Sequence, residues 1–491
     1  MNRALKRISI AVLVMFLALM INVNYLQGFD TASLAVQPDN IRGLEGRYQY
    51  ERGDIVTSDG VTIATTTPSN DFEKYLRVYK DPQVYAPVTG YATPYSATGV
   101  EGAENGVLSG NDASLSFRNF IDLITSKPRK GATVTVTINS KAQLAAYQGL
   151  RDVLGNTGNT GGVVAINPKT GAILAMASWP SYDTNLLAVH DGTTFNKNDK
   201  ALLTQVPSPL VNYATNATFP PGSTFKIVTT SAWFTQSATN TPQTSLASPQ
   251  PLRLPNGNFL SNDNGEKCGD GSGHTQAIIA FALSCNTPFA QLGVDLGGQA
   301  LKATADQFGY NQALDIPGIT NTAASNFTAE ADGSFTAFDA IGQHDTTTTA
   351  LQEALLSAAV ANNGTLMKPY LIQQVTASDL SIVSQATPIT LSTPITPAVA
   401  AYETQMMIQV VKSGTAQTPV NNAGAQGLDI AGKTGTAQNG TNGSSKSDAV
   451  FTAFAPASNP TIAVGVIVQG GGYGAAAAAP IAIQVIKAFL G

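Results

Sequence analysis

The chain has 491 residues, a formal net charge of −5 at pH 7 and a charged share of only 12%, about half of what an ordinary soluble domain carries. That length accommodates two or three domains, and the acidic balance without any basic run excludes a nucleic-acid partner. With three histidines and two cysteines, no H-E-x-x-H or G-x-S-x-G signature occurs and no metal site is expected.

The first element is MNRALKRISIAVLVMFLALMINVNYLQ, where Arg3, Lys6 and Arg7 precede an apolar run from about Ile8 to Leu26. The run is just long enough to span a bilayer as a helix. Positive residues lie ahead of it and none follows until Arg42, which puts a tail of residues 1–7 in the cytoplasm and everything after residue 26 outside. A cleaved signal peptide shares this design, but the nearest small-x-small site, Ser33-Leu34-Ala35, is too far along. A retained transmembrane anchor over residues 8–26 is the expectation.

Residues 27–155 are polar with short strand patterns, VTIATT and ATVTVTIN, and read as a smaller mixed module outside the membrane. Residues 156–491 have a different character. GGVVAIN and AILAMAS are apolar strands joined by the turn Pro168-Lys169-Thr170-Gly171. TALQEALLSAAVANNG reads as a helix with Leu351, Ala354, Leu355 and Ala358 in one apolar stripe and Asn363-Gly364 as its stop. LDIAGKTGTAQ, DAVFTAFAP and TIAVGVIVQ add three strands, and AAAAAPIAIQVIKAFL closes the chain as a helix. Two early and three late strands with helices between them fit an α+β domain, a five-stranded antiparallel sheet packed with helices.

GLDIAGKTGTAQ contains a literal phosphate-loop match, Gly427 to Thr434. The match works only when a strand feeds a glycine turn that opens a helix. Here a loop composition precedes it and GTAQNGTNGSS follows, where repeated Gly and Asn oppose a helix. The stretch reads as a strand. GGGYGA, Gly470 to Ala475, matches a loose dinucleotide fingerprint, yet the chain ends before a second strand, so a tight turn is expected.

Catalytic chemistry has to do without histidine: His190 has no partner at ligand spacing, and His274 and His344 read as polar loop or turn residues. In FPPGSTFKIVTTSAW a turn at Pro220-Pro221-Gly222 leads to Ser223 at the start of an apolar helical stretch, with Lys226 three residues on. Hydroxyl and amine then share a face, and the helix start favours developing negative charge. The lysine is a base only when neutral, which burial or a second cation promotes. Ser284-Cys285-Asn286 and Lys433-Thr434-Gly435-Thr436 follow downstream. S-x-x-K, S-x-N and K-T-G in this order are the three active-site elements of penicillin-binding proteins and serine β-lactamases. Cys268 and Cys285 fit either a disulfide or two buried thiols, since spacing does not show geometry.

On these motifs the chain resembles a class B penicillin-binding protein, a membrane-anchored peptidoglycan D,D-transpeptidase of the actinobacterial elongation or septation type. ERGDIVTSDGVTIA and YAPVTGYATPYSATGVEGAENGVLSG, with Glu101 and Gly110, are similar to the family's N-terminal motifs, and AINPKTGAILAMASWPSYDTN, ATFPPGSTFK, ALSCNTPFAQLG and AGKTGTAQ to its transpeptidase domain. Tyr213, where an arginine is common, and Gln343-His344-Asp345, in place of a glycine-containing turn, depart from the pattern. The resemblance implies that Ser223 attacks a D-Ala-D-Ala stem peptide while Lys226 takes its proton. Ser284 relays a proton to the leaving D-alanine, and Asn286 holds Lys226 and the substrate amide. Lys433, Thr434 and Thr436 receive the terminal carboxylate. The backbone N–H groups of Ser223 and Thr436 form an oxyanion hole. It also implies acylation by β-lactams, a lipid-linked peptidoglycan precursor as substrate, no cofactor, a polytopic glycan polymerase as partner, and a single-pass place in the bacterial plasma membrane. A D,D-carboxypeptidase shares all three elements, and a catalytically idle β-lactam sensor or division scaffold is the reading from another class.

Overall fold

A computed structural model describes residues 3–28, 50–115, 124, 129–438 and 447–491. Ser33-Leu34-Ala35, Arg42 and residues 439–446 lie outside the described residues. The N-terminal helix, Arg3–Gly28, contains the 22-residue stretch Leu5–Leu26 of mean hydropathy 2.1, long and apolar enough to cross a membrane. At 1.5 Å per residue that stretch is about 33 Å, the thickness of a bilayer core.

Six strands form the N-terminal sheet, in the order Ile382–Gln385, Ile372–Thr376, Thr133–Val136, Ile55–Val56, Thr62–Pro68 and Tyr75–Tyr79. Two of them come from far along the chain, Ile372–Thr376 pairing antiparallel with Thr133–Val136. The sheet therefore crosses the boundary expected at residue 155, and hydrophobic patterning alone has no means of showing such a return. Glu101 lies at the heart of this region with no exposure. Arg52 Nε donates to its carboxylate at 2.6 Å, Arg77 Nε at 2.5 Å and the Tyr79 hydroxyl at 3.1 Å. Burial alone would raise the Glu101 pKa, but the two guanidiniums outweigh it and hold the carboxyl below its ordinary value.

The second sheet has five antiparallel strands, ordered Ala431–Ala437, Asp448–Ala455, Ile462–Val468, Gly161–Ile166 and Ile173–Trp179. All five were legible as strands in the sequence. Helix Ala350–Ala361 covers one face; helices Ser140–Leu154 and Ala478–Leu490 cover the other. Ser140–Leu154 thus packs under this sheet although it precedes residue 155. Ala350–Ala361 is buried on every side rather than along one stripe, so Gln352 and Glu353 are interior. On the remaining side, helices Lys226–Gln236, Ala277–Ala282, Thr287–Leu296 and Pro397–Ser413 pack together, and Pro397–Ser413 packs against the edge strand Ala431–Ala437.

Candidate active site

The edge strand and the helical side meet at Pro221 and Gly222. Gly222 has φ +56°, and a Cβ there would stand 2.6 Å from the Thr436 carbonyl oxygen and 3.0 Å from its nitrogen. Only glycine lets the turn lie backbone to backbone against the strand. Gly435 completes the approach from the other side, since its Cβ would meet the Pro221 oxygen at 2.5 Å. Gly222–Phe225 forms a 3-10 turn before helix Lys226–Gln236. Residues i and i+3 eclipse in such a turn, so Ser223 and Lys226 align more directly than in an α-helix. Phe225 anchors the turn in the core, its ring stacked on Phe327 at 5.1 Å and edge-on to Tyr310 at 5.6 Å.

Lys226 Nζ lies 2.9 Å from Ser223 Oγ, 2.8 Å from the Ser284 carbonyl oxygen, 2.7 Å from that of Cys285 and 2.9 Å from Asn286 Oδ1. An ammonium has three protons for these four oxygens. A neutral amine donates to two acceptors and accepts the Ser223 O–H with its lone pair. The fully buried side chain favours that state: burial first, and then the nearby charge of Lys433, hold Lys226 well below the usual lysine pKa.

Ser284 follows helix Ala277–Ala282 with φ +60°, a left-handed conformation that costs an L residue about 1–2 kcal/mol. The turn directs its carbonyl to Lys226 and its hydroxyl to Lys433, whose Nζ donates to Ser284 Oγ at 2.8 Å and to the Thr434 carbonyl at 2.9 Å. Lys433 has no exposure, and burial pushes its pKa down to about 7. Its amine is thus engaged with Ser284 and the Thr434 carbonyl. Thr434 Oγ1 is 2.6 Å from Thr415 Oγ1, and Thr436 is half-buried, its carbonyl accepting from Gln343 Nε2 at 3.3 Å. That carbonyl points away from the neighbouring strand. In an antiparallel ladder the Thr436 N–H does the same.

Ser223, Lys226, Ser284, Asn286 and Lys433 therefore form one connected group, with Thr434, Gly435 and Thr436 along the adjoining edge. Cys268 and Cys285 are joined, Cα to Cα 5.8 Å, tying the S-x-N turn to the segment before strand His274–Gln276.

The family profile described as the penicillin binding protein transpeptidase domain matches residues 161–487. The chain belongs to that family. A second profile, the penicillin binding protein A dimerisation domain, matches residues 52–134. The peptidoglycan D,D-transpeptidase PbpA of Mycolicibacterium smegmatis is 39% identical over 500 residues, covering 100% of this chain and 99% of that protein. Its namesake in Mycobacterium tuberculosis is 37% identical with the same coverage. The solved structure of penicillin-binding protein A from M. tuberculosis as its ceftriaxone acyl-enzyme superimposes with a TM-score of 0.85 at 36% identity, covering 91% of this chain and 100% of that one. Its penicillin G acyl-enzyme gives 0.83, covering 90% and 100%.

Sequence reading missed three residues that shape the site of this penicillin-binding protein. Asn262 Oδ1 accepts from the backbone N–H of Asn286 at 2.7 Å and of Thr287 at 2.9 Å, bracing the S-x-N turn. Thr415 positions Thr434, and Gln343 reaches the Thr436 carbonyl. In the sequence Gln343 stands out only as a departure from the family pattern. Nothing in the local sequence around Asn262 or Thr415 signals these contacts.

Proposed function

We propose that this chain, a serine-type peptidoglycan D,D-transpeptidase, works through a Ser223 acyl-enzyme in which Lys226 is the base. The observation that carries the reading is the contact series from Ser223 Oγ to Lys226 Nζ, to Ser284 and on to Lys433 Nζ, every link 2.9 Å or less. Ser223 Oγ attacks the carbonyl carbon of the penultimate D-alanine as its proton passes to Lys226. The oxyanion is held by the N–H groups of Ser223 and Thr436, each such donor contributing about 3 kcal/mol. The amide C–N bond breaks, and the departing amine takes a proton through Ser284. An acceptor amine from a neighbouring stem peptide then attacks the ester carbonyl and gives up a proton to Lys226, which returns it to Ser223 Oγ as the C–Oγ bond breaks.

Lys433, Thr434 and Thr436 receive the substrate carboxylate, a cation and two hydroxyls suiting it, with Lys433 also donating to Ser284 Oγ. β-Lactams acylate Ser223 by the same route. We assign residues 1–7 to a cytoplasmic tail, 8–26 to a single-pass anchor, 27–155 to a pedestal-like module and 156–491 to the transpeptidase domain, outside the bacterial plasma membrane. A polytopic glycan polymerase in the same membrane is the expected partner.

Fluorescent penicillin tests the nucleophile: wild type is expected to label and Ser223→Ala not, while label retained by Ser223→Ala would refute the assignment. A thioester substrate followed with and without a D-amino-acid acceptor separates transfer from hydrolysis. Hydrolysis alone in both would reject transpeptidation.

A further inference from the structure

We propose that Glu330, His344 and Asp345 form a divalent-metal site beside the segment that contacts Gly222 and Thr436, with Zn2+ the ion that its donors suit best. Each of the three offers one ligand atom, and these atoms lie within 4.8 Å of one another. Acidic residues gather on many surfaces without binding an ion. What distinguishes this group is an imidazole already held as a metal ligand would be.

His344 Nδ1 lies 3.3 Å from Asp339 Oδ1, and its ring is stacked on Phe335 at 4.7 Å with 12° between planes. The Asp339 side chain is only 3% exposed, against 27% for His344. Its Oδ2, also buried, has no hydrogen-bond partner among the described residues. A buried carboxylate that accepts from Nδ1–H fixes the tautomer and leaves Nε2 with its lone pair directed outward. Nε2 is 4.0 Å from Asp345 Oδ2. Two ligands each about 2.0–2.1 Å from one Zn2+ stand at most about 4 Å apart, so small side-chain rotations close the site. One imidazole and two carboxylates suit a borderline ion better than Ca2+ or Mg2+. Three protein ligands leave a position for water.

The place of the site gives it a consequence. Gly342, two residues before His344, accepts from the Gly222 N–H at 2.8 Å, directly before the nucleophile. Gln343 reaches the Thr436 carbonyl. Glu330 precedes helix Gly333–Asp339, and His344 and Asp345 follow it. An ion shared by the three clamps both ends of this helix and stiffens the segment that supports the Gly222 turn and the Thr436 edge.

The test uses full-length protein in detergent, stripped with a chelator and titrated calorimetrically with Zn2+ and, in parallel, with Ca2+. One Zn2+ per chain is expected, bound at least tenfold more weakly after His344→Ala and about tenfold to a hundredfold more weakly after Asp339→Asn. His190→Ala and His274→Ala should leave it unchanged. Because His344 has φ 63°, His344→Gly relieves backbone strain while removing the ligand, and serves as the variant whose folding is secure. Zn2+ should raise the melting temperature of wild type and not of His344→Gly. The proposal is overturned if His344→Gly binds Zn2+ as wild type does, if His190→Ala or His274→Ala abolishes the binding instead, or if Ca2+ binds as tightly as Zn2+ and is indifferent to His344.

Discussion

Lys226 and Lys433 are held at two ends of a single residue, Ser284, its carbonyl 2.8 Å from one amine and its hydroxyl 2.8 Å from the other. The Lys433 charge adds to burial in lowering the Lys226 pKa. In the proposed mechanism Lys226 serves as base while neutral, so acylation should decline as pH falls through its folded-state pKa. In Lys433→Met burial remains but the second cation is gone, and the Lys226 pKa rises. The acid limb of the acylation profile should then move to higher pH, and the rate at pH 7 should fall about a hundredfold or more, the usual scale of lost acid–base assistance. Second-order acylation by a fluorescent penicillin from pH 5 to 9 measures both. A limb that stays in place would show that the two lysines are uncoupled.

Ser284 has competing demands, since its hydroxyl is needed where its backbone is left-handed, φ +60°. Ser284→Ala and Ser284→Gly should both lower acylation by about 10² to 10⁴. Their stabilities should differ in a fixed order. Glycine adopts this conformation without strain and alanine does not, so the glycine variant should be the more stable by about 1 kcal/mol. Chemical denaturation of the two variants decides the point, and equal stabilities would mean that the turn relaxes when the side chain is removed.

The strands and catalytic motifs were legible because they depend on local pattern. Apolar runs of strand length gave the five-stranded sheet, and Ser223 with Lys226 needs only one turn of chain. What escaped depends on distant pairing. The strands Ile372–Thr376 and Ile382–Gln385 join a sheet built mainly from residues 55–136, and no periodicity records where a strand finds its partner. Glu353 lies outside the apolar stripe of its helix yet is wholly buried, because helix and sheet enclose it on all sides. The motif marks Lys433 as a cation for the substrate carboxylate, but it does not show that the amine also donates to Ser284 Oγ and the Thr434 carbonyl. Sequence spacing places a residue on a strand without fixing where its side chain ends.

Asn262 is a buried residue whose contribution is positional. Asn262→Ala removes the acceptor of two backbone N–H groups, those of Asn286 and Thr287. An unsatisfied buried donor costs about 1–3 kcal/mol, so with two of them a stability loss of roughly 2–6 kcal/mol is expected. Acylation should slow as Asn286 loses its register with Lys226, while Asn262→Asp, which retains an acceptor oxygen, should recover most of the rate. Melting curves and acylation rates of the two variants would expose a purely structural role if the rate per folded molecule were unchanged in Asn262→Ala.

Glu101 predicts the opposite kind of result, a large stability effect away from the chemistry. Its loss in Glu101→Ala leaves Arg52 and Arg77 buried without their shared anion, a change that typically costs about 3–5 kcal/mol. Limited proteolysis should cut residues 50–115 first. Penicillin labelling of Ser223 should survive at low temperature, because Glu101 contacts none of the catalytic side chains. Simultaneous loss of labelling and protease resistance would mean that the N-terminal region and the catalytic domain unfold as one unit.

Glu403 lies behind the nucleophile helix with no exposure, its Oε1 accepting from the hydroxyls of Thr230 at 2.6 Å and Ser231 at 3.2 Å. Burial raises its pKa from 4.5 to about 8, the two hydroxyls offsetting only part of the effect. The sign of the linkage follows from proton counts. Below pH 4.5 the group is protonated in both the folded and the unfolded chain. Between pH 4.5 and about 8 the folded chain keeps a proton that the unfolded chain has lost, so stability declines as pH rises across that window. Each pH unit is about 1.4 kcal/mol, giving a contribution on the order of 3 kcal/mol by pH 7. Glu403→Gln keeps the acceptor and the shape without the titration. It should match wild type near pH 4.5, exceed it increasingly toward pH 8, and show a flatter dependence of melting temperature on pH. Parallel curves for the two proteins across this range would mean that Glu403 does not retain its proton in the fold.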